Sequence, residues 1–194
     1  MFSSQINNRD VVLAIYQDIR TIFRLSDIAM LTGQTDFKSL SKKLNYAVRT
    51  FKLKSPRKGI YAKPVYNAEE MACTVYTPSY ISLEYVLQKA GIVFQFNSVI
   101  SVVSYLSRTI NAGNQTMVYR KIKGEILVNT IGINRKNNQV NIATAERAFL
   151  DLLYLNTDYY FDNLSPLNKD LVYKILPIYQ SKTLTERVNK LLPQ

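Results

Sequence analysis

Apolar residues recur at helical spacing through the first third of the chain and at strand spacing through its middle. Val11, Val12, Ile15, Tyr16 and Ile19 fall on one helical face. That spacing predicts a first helix, capped by Asn7 or Asn8 and running to about Arg20. Ser26-Asp27 reads as the next N-cap pair, and Ile28, Ala29 and Leu31 supply two turns that stop at Gly33. Thr35 or Asp36 caps a third helix. Its stripe is Phe37, Leu40, Leu44, Val48 and Phe51, stepping by three, four, four and three. Period two follows, with Phe51 and Leu53 alternating with Lys52 and Lys54. Ser55-Pro56-Arg57-Lys58-Gly59 predicts a turn and Ile60-Tyr61-Ala62 a returning strand. Three helices and then a hairpin are the order of a winged helix-turn-helix.

Pro64 marks a module boundary, so the expected domains are residues 1–65 and 66–194. A short helical piece spans Ala68 to Thr74. Thr77-Pro78-Ser79 is expected to open a helix carrying Ile81, Leu83, Val86 and Leu87 and closing at Gly91. Strand signals begin near Asn97, with Ile100 to Val103 as one strand and a turn at Asn111–Asn114. Thr116 to Ile122 and Ile126 to Ile133 are expected to pair across Lys123-Gly124-Glu125, with Val140 to Ile142 as a fourth strand. Thr144 caps a helix whose apolar residues are Ala148, Phe149, Leu152, Leu153 and Leu155. Helices over about Asn168–Tyr179 and Thr183–Leu192 close the chain. The expected fold class is α+β: an N-terminal winged helix-turn-helix, then a small, mainly antiparallel sheet flanked by helices.

Charge assigns a partner to the first module. The chain has 25 Lys+Arg against 14 Asp+Glu in 194 residues, a net charge of +11. Residues 1–65 hold 12 basic and 4 acidic side chains, and residues 66–194 hold 13 and 10. The excess therefore concentrates in the first third, the mark of a polyanion-binding module rather than of general solubility. Lys38, Lys42, Asn45 and Arg49 step along the polar face of the third helix, with Ser39, Lys43 and Tyr46 beside them. A helix of this size fits a major groove about 12 Å wide. Lys42, Lys43, Asn45, Tyr46 and Arg49 are the expected groove contacts. Lys52, Lys54, Arg57 and Lys58 are the expected wing contacts to flanking backbone or minor groove. Duplex DNA is favoured over RNA, because no RNP aromatic sheet or GXXG loop is present.

Other chemistry is pruned by what the chain lacks. It has no His and one Cys, which excludes zinc fingers, His-based triads and intramolecular disulfides. Cys73, within MACTVY, reads as a buried structural thiol. The longest apolar runs, VVLAIY and VISVV, are far shorter than the roughly 20 residues of a membrane span. The N-terminus lacks the basic-then-apolar order of a secretory signal, so a cytoplasmic location is expected. Six glycines form no phosphate loop, and Glu69, Glu70 and Glu84 have no partner at acid–base or metal-binding spacing. No catalytic residue, metal or cofactor is expected.

Two segments carry a resemblance. A-x-x-x-x-x-P-S-Y-I-S-L-E-x-x-L-x-x-x-G-I spans Ala72 to Ile92, and I-A-T-A-E-R-A-F-L-D-L-L-Y-L spans Ile142 to Leu155. Preceded by G-I-Y-A-K-P at Gly59–Pro64, they resemble the AbiEi family of type IV antitoxins and transcriptional regulators of abortive-infection operons. The resemblance covers roughly residues 10–160. It implies a winged helix that binds repeats in its own promoter and represses the operon. It also implies a C-terminal domain that counters a nucleotidyltransferase-like toxin in bacterial cytoplasm, and it leaves direct contact with that toxin open. After Leu155 this chain carries two modest helices, where longer relatives carry more. Tyr80, Glu84, Glu146, Arg147 and Asp151 lie in the matching segments and are candidates for antitoxicity. They have a structural alternative. Tyr80 suits a helix core, Glu146 a first helical turn, and Asp151 can pair with Arg147 at i, i+4. The alternative function is a ligand-responsive winged-helix repressor without antitoxin activity.

Overall fold

Asp10 stands at the N-cap of the first helix, its carboxylate accepting the Val12 N–H at 2.9 Å. The expected caps, Asn7 and Asn8, lie outside the residues that this computed structural model describes, namely 10–95, 97–136 and 138–193. Helix α1 covers Val11–Gln17 and buries Val11, Ala14 and Ile15. It stops short of Arg20 because Asp18 turns the chain, accepting the Arg20 N–H at 2.8 Å. Ile19 is thereby off the helix, and both it and Tyr16 face water.

Strand β1 (Ile22–Arg24) runs directly into α2 (Leu25–Thr32), which Gly33 ends with φ 68°. Ser26 and Asp27 are inside the first turn rather than at the cap. The Asp27 carboxylate reaches back to the Arg24 N–H at 2.8 Å. Helix α3 (Phe37–Arg49) begins at Asp36, whose Oδ1 accepts from the backbone N–H groups of Lys38 and Ser39 at 2.9 and 3.1 Å. Its inward stripe is Leu40, Leu44 and Ala47. Phe37 and Phe51, expected on that stripe, are exposed. The hairpin begins later than expected, as β2 (Lys54–Arg57) and β3 (Ile60–Ala62), because Phe51 to Leu53 make the exit from α3. These strands form one antiparallel sheet in the order β1-β3-β2. Ile15, Phe23, Ile28, Leu40, Leu44, Leu53 and Tyr61 close a core beneath it.

The chain divides into two compact units after Val75, not after residue 65. The physical cause is Glu70 on α4 (Ala68–Val75). Its buried carboxylate accepts the Thr21 N–H at 2.6 Å, the Thr21 hydroxyl at 2.8 Å and the Ile22 N–H at 3.1 Å. The Arg24 guanidinium donates to the Thr74 carbonyl from the other end of the helix. These four bonds anchor α4 to β1 and to Thr21 just before it. Cys73 is buried on this helix, as its apolar context suggests.

The second unit contains β4 (Ser79–Ile81), α5 (Leu83–Lys89), β5 (Ile100–Ser104), β6 (Arg108–Ala112) and β7 (Gln115–Lys121). It continues with α6 (Gly124–Val128), β8 (Ile133–Arg135), β9 (Asn141–Ala143), α7 (Ala145–Leu155) and α8 (Lys169–Ile175). A 3-10 turn (Leu176–Tyr179) and α9 (Lys182–Leu191) end it. Its sheet runs β6-β7-β5-β4-β9-β8. The β7–β5 and β4–β9 pairs are parallel and the other three antiparallel, so the sheet is mixed rather than mainly antiparallel. The expected hairpin across Lys123–Glu125 does not form. Strand β7 is paired on one side by β6 and on the other by β5, which leaves no open edge for a return strand. Gly124 to Val128 are helical instead. Ser79–Ile81 likewise is a buried strand, and the helix expected from Thr77 starts only at Leu83. The whole is α+β. Among the described residues no helix is long and apolar enough to cross a membrane.

Candidate nucleic-acid interface

Inward packing of Leu40, Leu44 and Ala47 determines what α3 shows to water. At about 100° per residue, Lys38, Lys42, Asn45 and Arg49 fall on the opposite side, and all four are exposed. Lys43 and Tyr46 are exposed beside them, and Ser39 is half-buried. Arg49 lies over the Tyr46 ring, 6.0 Å from its centroid. Asn45 is placed against the sheet: its Oδ1 is 3.5 Å from the Tyr61 hydroxyl on β3. Lys42, Lys43, Tyr46 and Lys52 line an open cleft of about 540 Å³ together with Asp10, Val11, Val12 and Ala47. The Tyr16 hydroxyl donates to the Lys52 carbonyl at 2.9 Å and so ties the α3 exit to α1. On the hairpin Lys54 and Lys58 are exposed and Arg57 is half-buried. Every residue expected at the interface is thus on α3, its exit or the hairpin. From Asp36 to Glu69 the intervening chain holds nine basic residues and no acidic one. Such a surface attracts a polyanion and offers its cations no internal carboxylate from the same stretch.

Sequence spacing puts Phe51 in the core, whereas it is among the most exposed apolar side chains of the unit. The helix stops at Arg49, so the three-four step no longer applies two residues later. Thr50-Phe51 contains neither Gly nor Pro, and nothing local marks that stop.

The candidates in the second unit form a different kind of site. Arg147 and Asp151 are both 0% exposed. Arg147 Nη1 donates to the Ile131 carbonyl at 3.0 Å, and Nη2 to the Ile126 carbonyl at 2.7 Å and the Tyr80 oxygen at 3.1 Å. Its Nε is 3.4 Å from Asp151 Oδ1, the i, i+4 pair that the spacing suggests. Asp151 also accepts from Tyr80 (3.1 Å), Tyr179 (2.6 Å) and Ser82 (2.7 Å). The Arg147 guanidinium carbon stands 5.4 and 5.5 Å from the ring centroids of Tyr80 and Tyr179. Burial pushes the Asp151 carboxyl up, against the opposing pull of Arg147 and the three hydroxyls. Burial first, and the Asp151 charge second, push both tyrosine hydroxyls above their ordinary value. Tyr80, Arg147 and Asp151 therefore brace α7 against β4, α6 and the 3-10 turn, and present no reacting atom to solvent. Glu146, also buried, accepts the Asn168 N–H at 3.1 Å in a separate contact. Glu84 on α5 is half-buried, and its charge adds to the burial that raises Tyr159. Ser82 and Tyr179, which complete the network, carry no sequence signal that pairs them with Asp151.

No protein-family model matches this chain, and no curated protein matches it in sequence.

Proposed function

We propose that this protein binds duplex DNA through a winged helix formed by its first unit. Helix α3 enters the major groove and the β2–β3 hairpin serves as the wing. The observation that supports this most is the basic face of α3, continuous with a basic hairpin in a stretch that has no acidic residue. Lys42, Lys43 and Arg49 neutralise phosphates, Asn45 and Ser39 meet base edges, and Tyr46 packs on sugar or a thymine methyl. By the resemblance to the AbiEi family, the DNA is promoter DNA with repeats and the outcome is repression of the protein's own operon. The same resemblance assigns the second unit to countering a nucleotidyltransferase-like toxin.

The test of DNA binding is a titration of the full chain with duplex DNA at several salt concentrations. About six phosphate contacts give a slope of log K against log salt near −5, and a slope near zero overturns the assignment. Antitoxicity has its own test. Co-expression with the product of a neighbouring nucleotidyltransferase-like gene should restore growth. Lethality left untouched would favour the ligand-responsive repressor.

A further inference from the structure

Among the described residues four non-glycine positions hold a left-handed backbone: Phe51, Leu83, Gln139 and Gln180. Two of them are bulky and apolar, and they differ in what offsets the strain. Leu83, at φ 60°, is 0% exposed, so core burial repays its conformation. Phe51, at φ 58°, is 88% exposed. It sits at the stop of α3. Its N–H donates to the Val48 carbonyl at 3.1 Å, and the Lys52 N–H donates to the Ala47 carbonyl at 2.9 Å. These are the paired bonds of a Schellman stop, whose left-handed residue is ordinarily glycine. Gly33 fills the corresponding place after α2. Backbone conformation thus favours glycine at position 51, and burial gives a phenyl ring almost nothing there. No requirement of the fold selects phenylalanine.

The surroundings name what does. Arg49, Lys52 and Lys54 flank the ring in sequence and are exposed, within the stretch that has no acidic residue. A second copy presenting this same surface would be repelled, whereas a polyanion is drawn to it. Phosphates offer a ring no apolar surface, but deoxyribose and the faces of bases do. We infer that Phe51 is an apolar contact of the DNA interface, packing its ring against sugar or a partly unstacked base beside the groove that α3 enters. The inference rests on the duplex-binding proposal above. The cations then supply attraction, and Phe51 supplies a contact that salt does not weaken.

The experiment uses the full chain and its Phe51→Gly and Phe51→Leu variants. Each is titrated by fluorescence anisotropy with the DNA segment immediately upstream of the protein's own coding sequence, over a range of salt. Thermal unfolding and sedimentation velocity accompany the titrations. Phe51→Gly should raise the unfolding midpoint by several degrees, because the strain is relieved. It should at the same time weaken DNA binding about tenfold with the salt slope unchanged, since a ring releases no counterions. Phe51→Leu, which keeps apolar bulk, should recover part of the affinity. Wild-type affinity in Phe51→Gly overturns the assignment and leaves duplex binding standing. A wild-type chain that binds no duplex overturns both. A lowered midpoint in Phe51→Gly shows that the ring serves the fold, and overturns the inference as well. So does a dimer that dissociates in Phe51→Gly at unchanged DNA affinity, which would make Phe51 a self-association contact.

Discussion

Lys42 in the first unit and Arg147 in the second are both cations on an amphipathic helix, and they answer to opposite physics. Lys42 stands in water on the outer face of α3, where its charge costs nothing to keep and is available to a partner. Arg147 is wholly enclosed on α7, where its charge persists only because two carbonyls, a phenol oxygen and a carboxylate surround it. Charge held out in water stays open to a partner from solution. Buried charge ringed by acceptors is a statement about the fold. The same side-chain sign therefore leaves charge open to solvent in one unit and holds architecture together in the other, and burial separates the two.

The sharpest way to break this contrast is Arg147→Met. It leaves Asp151 buried without its cation and frees the Ile126 and Ile131 carbonyls, a change that costs about 3–5 kcal/mol. Denaturant unfolding followed by tyrosine fluorescence should show the second unit losing stability by that amount, while the salt-dependent DNA titration is unaltered. A variant as stable as the wild type would end the architectural account of the network. Gly132→Ala probes the same place from the backbone. Gly132 holds φ 76°, and a Cβ there would lie 2.8 Å from Ile175 Cδ1 and 3.0 Å from Arg147 Cβ. The expected loss is about 2–3 kcal/mol, read by the same unfolding curve, and a neutral outcome would mean that α8 yields freely.

The exposed side of the contrast predicts the reverse pattern. Lys42→Ala with Lys43→Ala should leave thermal unfolding within about 0.5 kcal/mol of the wild type, as surface changes usually do. DNA affinity should fall at least about tenfold and the salt slope should shrink by about 2, one for each phosphate that the variant no longer neutralises. A folded double variant with an unchanged slope would move the interface off α3. Loss of folding would place these lysines with Arg147 rather than against it.

How much of this is readable from residue order follows the range of the forces involved. Helix α3 is readable because Asp36, Leu40 and Leu44 act within one helix: cap and stripe are local. The Arg147–Asp151 pair is readable for the same reason, being four residues apart on α7. Tyr179 and Ser82 are not, since their link to Asp151 crosses 28 and 69 residues. The sheet order is hidden in the same way. Ile126 to Ile133 have strand-like composition, yet the place beside β7 is taken by β5, in a parallel pairing that no local turn announces. Phe51 misleads for a narrower reason. Its spacing fits the α3 stripe, and only the left-handed stop at its own backbone swings it into water.

Asp18 and Arg20 offer the smallest and most graded probe, since their pair is neither exposed like Lys42 nor enclosed like Arg147. Asp18 Oδ2 is 2.7 Å from Arg20 Nη2, and Oδ1 accepts from Arg20 Nε at 3.0 Å. The hydrogen bond from Arg20 holds the Asp18 carboxyl below its ordinary value of 3.8, with burial acting the other way. The folded-state value lies below the unfolded one. The pair therefore contributes stability above about pH 4, and that contribution is lost as pH falls through the folded value. Because the pair is partly solvated, its worth at neutral pH is under about 1 kcal/mol. Asp18→Asn should accordingly lower the urea midpoint of the first unit slightly at pH 7. The gap between variant and wild type should close as the pH falls through the folded value, which lies below 3.8, since beneath it both side chains are neutral. A gap that widened on acidification would mean that Asp18 is held in its protonated form, and would place this pair with the buried network of α7 rather than with the solvated surface of the first unit.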